Sequence, residues 1–170
     1  ASCLASSLIY YPFISVQFLR LSVSTLCREG GVRKNMRSMN DEAGFLEALS
    51  TNLGTDRYSL YSVEFGNLTV AESVQVVEQV DIFVDVHGAG LVWANFLPST
   101  SNTFNHRPSG VVEIVGGDRD PSNQHYHNMA ILMGHSYRSL YFGHGSGAPD
   151  WPIDWDSSRI EDLASIIRGL

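Results

Sequence analysis

The chain has 170 residues, enough for one domain with a sizeable core and too few for two ordinary ones. Hydrophobic residues make up 44% and charged residues 17%, the balance of a folded chain rather than a disordered one. A net charge of -7 and the lack of a long Lys/Arg run argue against a nucleic-acid surface, and Cys3 and Cys27 alone make neither a disulfide framework nor a zinc spacing.

Residue 1 is Ala rather than Met, which suggests a processed chain or a fragment. Residues 4–23 are fairly apolar but are interrupted by Tyr10, Tyr11, Pro12, Gln17 and Arg20, so no membrane span is expected there. The basic start and cleavage site of a signal peptide are not evident either, and any membrane anchor is expected outside this chain. Residues 1–18 read as a lead-in segment and residues 19–170 as a single domain.

Residues 19–27 (LRLSVSTLC) predict a strand, being rich in β-branched and apolar residues. Residues 28–39 form a basic, Gly-containing loop. Asn40 is placed to cap a helix with Phe45, Leu46, Leu49 and Leu53 at helical spacing, and Gly54 to end it. Residues 57–65 predict a second strand. Thr69 and Glu72 make a capping box, opening a helix that turns Val70, Val74, Val77 and Val80 inward. Residues 81–86 predict a short apolar strand, 89–96 a short helix stopped by Pro98, and 111–115 (VVEIV) a buried strand. Residues 126–133 then predict a helix and 137–142 a strand. Ser158 and Glu161 make a second capping box, for a last helix with Ile160, Leu163 and Ile167 on one face.

Such regular alternation implies a parallel sheet covered on both faces, a doubly wound α/β domain. Ligands of such domains sit outside the carboxyl ends of the strands, where the strand order reverses. The run His87-Gly88-Ala89-Gly90 stands at one of those ends.

Three chemistries suit that run. As a phosphate site, Gly88 and Gly90 allow close backbone approach, the following helix points free amides at an anion, and His87 adds a hydrogen bond. As an oxyanion loop it needs a nucleophile, and the nearest candidate, Ser136 in GHSYR, fails. Arg138 replaces the last Gly of the elbow, a helical stretch precedes the Ser, and no Asp-then-His order follows it. As a metal site it needs partners from His125, His127 and His144, which lack a ligand spacing, so solvated or packed histidines are expected and no metal. Asp150, Asp154 and Asp156 read as an exposed acidic turn. Asn67-Leu68-Thr69 is a glycosylation sequon in which Thr69 doubles as the helix cap.

Residues 81–98 (DIFVDVHGAGLVWANFLP), followed by Val111-Val112-Glu113-Ile114, resemble the signature of glycosyltransferase family 61. Upstream, Cys27-Arg28-Glu29 and residues 37–49 are similar to further motifs of that family, as are Tyr126, Ala130, Gly134 and Tyr137 downstream; the resemblance spans about residues 20–142. Departures are Val92-Trp93 where the family has Asn or His, Cys27 where it has Ser, and a longer stretch over residues 99–110.

The resemblance implies the C-terminal, donor-binding, Rossmann-like lobe of an inverting GT-B glycosyltransferase. Its donor would be a UDP-sugar, such as UDP-GlcNAc or a UDP-pentose, and its acceptor a protein or polysaccharide hydroxyl. On that reading His87, Gly88, Ala89 and Gly90 hold the diphosphate, Arg28 pairs with it, and Glu113 accepts from ribose hydroxyls. The catalytic base is unassigned, no tightly bound cofactor is expected, and a divalent cation is left open. The compartment implied is the ER or Golgi lumen in a eukaryote and otherwise the cytoplasm. The alternative is a non-catalytic or degenerate nucleotide-binding or interaction module.

Overall fold

Five parallel strands form one sheet in the order β2-β1-β3-β4-β5. They are β1 (Gln17–Ser22), β2 (Tyr58–Ser62), β3 (Ile82–Val86), β4 (Gly110–Val115) and β5 (Ser136–Tyr141). Between and after them come α1 (Glu42–Leu53), α2 (Val70–Val77), a 3-10 segment (Ala89–Phe96), α3 (His125–Leu132) and α4 (Ser157–Arg168). This computed structural model describes residues 17–22, 39, 41–54, 58–98, 108–116, 124–142 and 153–170. The expected doubly wound α/β architecture is what the chain adopts. Of the expected lead-in (1–18), residues 1–16 lie outside the described residues, as does the second half of the first expected strand, and Gln17 and Phe18 already belong to β1.

The helices divide between the two faces. Phe45, Leu49 and Leu53 of α1 pack with Ile160, Leu163, Ala164 and Ile167 of α4 on Ile82, Val84, Val86, Val112 and Ile114. On the other face, Val77 of α2, Leu91 and Ala94 of the 3-10 segment and Ala130 of α3 cover Phe83 and Val111. Fully burying each such aliphatic or aromatic side chain stabilises the fold by about 1.5–3 kcal/mol.

The caps are local sequence chemistry. Asp41, in the left-handed region at φ 45°, accepts from the Gly44 amide at 3.2 Å and starts α1. A Cβ on Gly44 would stand 2.3 Å from the Asp41 carboxylate, so only Gly lets this cap close. The expected cap, Asn40, lies outside the described residues. Gly54 ends α1 at φ 80°, a backbone angle that disfavours other residues. Thr69 and Glu72 form the expected capping box. Val70, however, is 70% exposed, because the first helical position faces water; Ser73, Val77 and Val80 face inward. In α4 the cap is Asp156, accepting from the Arg159 amide at 2.9 Å, not Ser158, which lies inside the helix.

β1 lies between β2 and β3, and the order reverses between β1 and β3. α1 covers one face and α2 the other, so the crossovers leave this point in opposite directions. The crevice rule for open parallel sheets therefore places a ligand at the carboxyl ends of β1 and β3. Among the described residues, no helix is long and apolar enough to cross a membrane.

Candidate functional site

Alternation along β3 and β4 builds the site. Phe83 pairs with Val111 and Asp85 with Glu113, so both carboxyl side chains point to the face covered by α2 and α3. His87 follows at the end of β3, and its amide extends the ladder by donating to the Ile114 carbonyl at 2.7 Å. On β5, Tyr137 stands opposite Val111 on the same face.

These residues meet at Glu113, which is 0% exposed. One of its oxygens binds Nδ1 of His87 and the other accepts from the Tyr137 hydroxyl. Two aromatic contacts from the first turn of α3 roof the group. The Tyr126 ring meets His87 edge-on at 5.4 Å, and the His127 ring meets Tyr137 edge-on at 5.1 Å. His87 keeps a small exposed fraction of side chain, 16%, so the group reaches the surface through its imidazole.

Asp85 is 2% exposed. Its Oδ1 accepts from the Val86 amide at 2.8 Å, and its Oδ2 has no hydrogen-bond partner. Burial pushes the Asp85 carboxyl well above the usual carboxylate range, opposed only by the Val86 amide.

The structure gives the expected site residues the following places. Arg28 lies outside the described residues. Gly88 is extended (φ 166°, ψ -175°), a conformation open to any residue, so the turn after His87 does not depend on glycine there. Ala89 and Gly90 begin a 3-10 segment, not an α-helix, and its tighter turns give poorer hydrogen-bond geometry. Glu113 is sealed inside and bonded to His87 and Tyr137, which leaves no room for the expected contact with ribose hydroxyls.

Asp85 and Tyr137 join the group without having been singled out as site residues. An acid inside an apolar strand is a visible signal for Asp85, as it was for Glu113; Tyr137 joins only through the register of β5. Ser136 opens β5 directly after Gly134 and His135, the reverse of a strand-to-helix elbow, which agrees with rejecting a nucleophile there. Among the described residues, no three His, Cys, Asp or Glu side chains are grouped to hold a metal.

At the opposite end of β5, His135 is 3% exposed and neither ring nitrogen has a hydrogen-bond partner. Burial lowers its pKa from the ordinary 6.5, opposed by the Ala94 backbone, which approaches the ring without closing a hydrogen bond of good geometry.

No protein-family model matches the chain, and no curated protein does. Solved structures do match. An oxidoreductase from Corynebacterium diphtheriae superposes with a TM-score of 0.51 at 11% identity, over 92% of this chain and 100% of that one. A protein from P. pentosaceus described as an NADPH-quinone reductase gives a TM-score of 0.47 at 13% identity, over 89% and 97%. At such identities the first likeness shows a shared fold. The structure that shares the fold is described as an oxidoreductase, which corrects the expectation of a glycosyltransferase and its UDP-sugar donor. The alternative of a degenerate nucleotide-binding or interaction module gains no support from them.

Proposed function

We propose that the chain is an α/β oxidoreductase domain that binds a small redox ligand at the carboxyl edge of β3 and exchanges a proton with it through His87. The observation that carries this reading is the buried Glu113 carboxyl bonded to His87 at that edge. Reduction of a carbonyl or quinone by hydride needs a proton on oxygen, and oxidation of the alcohol or hydroquinone releases one. A histidine oriented by a carboxylate suits that exchange. The fold shared with the Corynebacterium diphtheriae oxidoreductase supports the same class.

A nicotinamide or flavin would supply or take the electron pair as hydride. The donor set suits a flat ring better than a bare diphosphate. The rings of His87 and Tyr126 lie at the edge, and the backbone from Gly88 to Gly90 is close by. What this chain contributes is orientation by that backbone, exclusion of water by Tyr126 and Tyr137, and a proton held at His87.

The test is titration of the folded protein with NADH, NADPH and FMN, followed by turnover with a small quinone. Binding of at least one is expected, and His87→Ala should lower turnover about 100-fold or more, the usual contribution of a positioned acid or base. A folded sample that binds none of the three and turns over no quinone overturns the reading.

A further inference from the structure

We propose that Glu113 is a positioning residue that fixes neutral His87 in the tautomer with hydrogen on Nδ1, making Nε2 the atom through which the site exchanges its proton. This rests on the reading that the carboxyl edge of β3 is the ligand site, and it goes further by naming the atom and what sets it. An ionised carboxylate only accepts hydrogen bonds. Glu113 receives the Tyr137 hydroxyl on one oxygen and faces Nδ1 of His87 with the other. Nδ1 must then carry hydrogen, and in an imidazole the second nitrogen is set by the first.

The neighbouring carboxyl makes this assignment consistent. Asp85 stands beside Glu113 in register on the same face, and two buried carboxyl groups so close do not both ionise. Both oxygens of Glu113 have a polar partner, the Tyr137 hydroxyl on one and the His87 ring on the other, whereas Asp85 has one amide and an unpartnered oxygen. The negative charge therefore belongs to Glu113 and the retained proton to Asp85, and burial of Asp85 acts in the same direction.

The proton step balances in both directions. When a substrate hydroxyl is oxidised, its O–H bond breaks and the proton goes to Nε2, while the second hydrogen leaves as hydride, from the adjoining carbon of an alcohol or from the other oxygen of a hydroquinone, to a nicotinamide or flavin that would accept it. In reduction, that hydride would return from a reduced nicotinamide or flavin, while the N–H bond at Nε2 of protonated His87 breaks and its proton goes to the substrate oxygen. Nδ1 keeps its hydrogen on Glu113 throughout, and Tyr137 holds the far oxygen of Glu113 in place. The substrate class is thus a hydroxyl or carbonyl compound, a quinone included, whose oxygen changes protonation as it changes oxidation state.

The experiment is nitrogen-15 NMR of histidine-labelled protein, with His87→Gln used to assign the signal. At a pH where imidazoles are neutral, His87 should show the Nδ1–H pattern, whereas a free imidazole favours Nε2–H. Glu113→Met, which removes the acceptor, should move His87 to the Nε2–H pattern, and Tyr137→Phe should leave the tautomer unchanged. An Nε2–H pattern for His87 in the wild-type protein overturns the proposal whether or not the variants fold. So does a folded Glu113→Met variant that keeps Nδ1–H. These signatures need no bound ligand, so their outcome is separate from that of the titration and turnover tests. An Nδ1–H pattern in a protein that binds no redox ligand would leave the tautomer standing and remove the oxidoreductase reading alone.

Discussion

The two faces of the sheet are made from the same strands and differ in what those strands present. Toward α1 and α4, β3 and β4 show Ile82, Val84, Val86, Val112 and Ile114, without a polar atom among their side chains. Toward α2 and α3 they begin alike, with Phe83 and Val111, and then change to Asp85, Glu113 and His87 near the carboxyl edge. A sheet buried on both faces gains most from continuous apolar strands. The polar row departs from that rule at the one edge where the crevice of this sheet order lies, and buried groups that cost stability cluster at functional sites.

The difference can be pressed from either side, and the largest effect belongs to the apolar face. Phe45 is fully buried and meets the rings of Phe142 and Trp155 at 6.2 and 5.9 Å. Phe45→Ala should cost about 3–5 kcal/mol in denaturant unfolding, with the pH dependence of stability unchanged. A loss under 1 kcal/mol would mean this face is not the main store of stability.

On the polar face the readout is a slope. Folded Asp85 keeps its proton above the usual carboxylate range, whereas the unfolded chain releases it there. The unfolded state thus binds fewer protons in that window, and stability falls as pH rises through it. Asp85→Asn should remove a slope of up to about 1.4 kcal/mol per pH unit and leave the variant increasingly the more stable as pH rises. Parallel stability curves for the two proteins would show that Asp85 is ionised when folded.

The smallest effect is expected at His135, where the same face carries a polar ring far from the site edge. Folded His135 resists protonation while the unfolded chain accepts a proton below about 6.5, so stability falls as pH drops through that region. His135→Leu should flatten this acid limb and change stability at neutral pH by no more than about 1 kcal/mol, since the ring makes no hydrogen bond of good geometry. A variant destabilised by more than that would show that the ring makes contacts worth more than its missing hydrogen bonds.

Much of this architecture was legible in the sequence. The apolar runs and the Thr69–Glu72 box place β3, β4, α2 and the α/β alternation, because burial and capping act over a few residues. Start sites were less legible where several candidates stand together. Asp156, Ser157 and Ser158 can each cap a helix, and the packing of Ile160 and Leu163 selects Asp156. Nothing local distinguishes a 3-10 segment from an α-helix over Ala89–Phe96. His87 and Glu113 were visible as polar residues at the ends of apolar runs, but their contact, and the place of Tyr137, depend on strand register. The glycosyl-transfer expectation came from a resemblance of short runs, and the structure that shares the fold is described with a different activity.

The join at Glu113 also bears on how the strands find their alignment. Its partners lie 26 and 24 residues away, on β3's end and on β5. Aliphatic strands slide past one another at little cost in hydrophobic contact, and a slip by one residue exchanges the faces. Such a slip of β4 would carry Glu113 among Val84, Val86 and the helices α1 and α4, away from His87 and Tyr137. The same bonds that hold the histidine therefore penalise the misaligned sheet, and the correct pairing of three strands is selected by one carboxyl group.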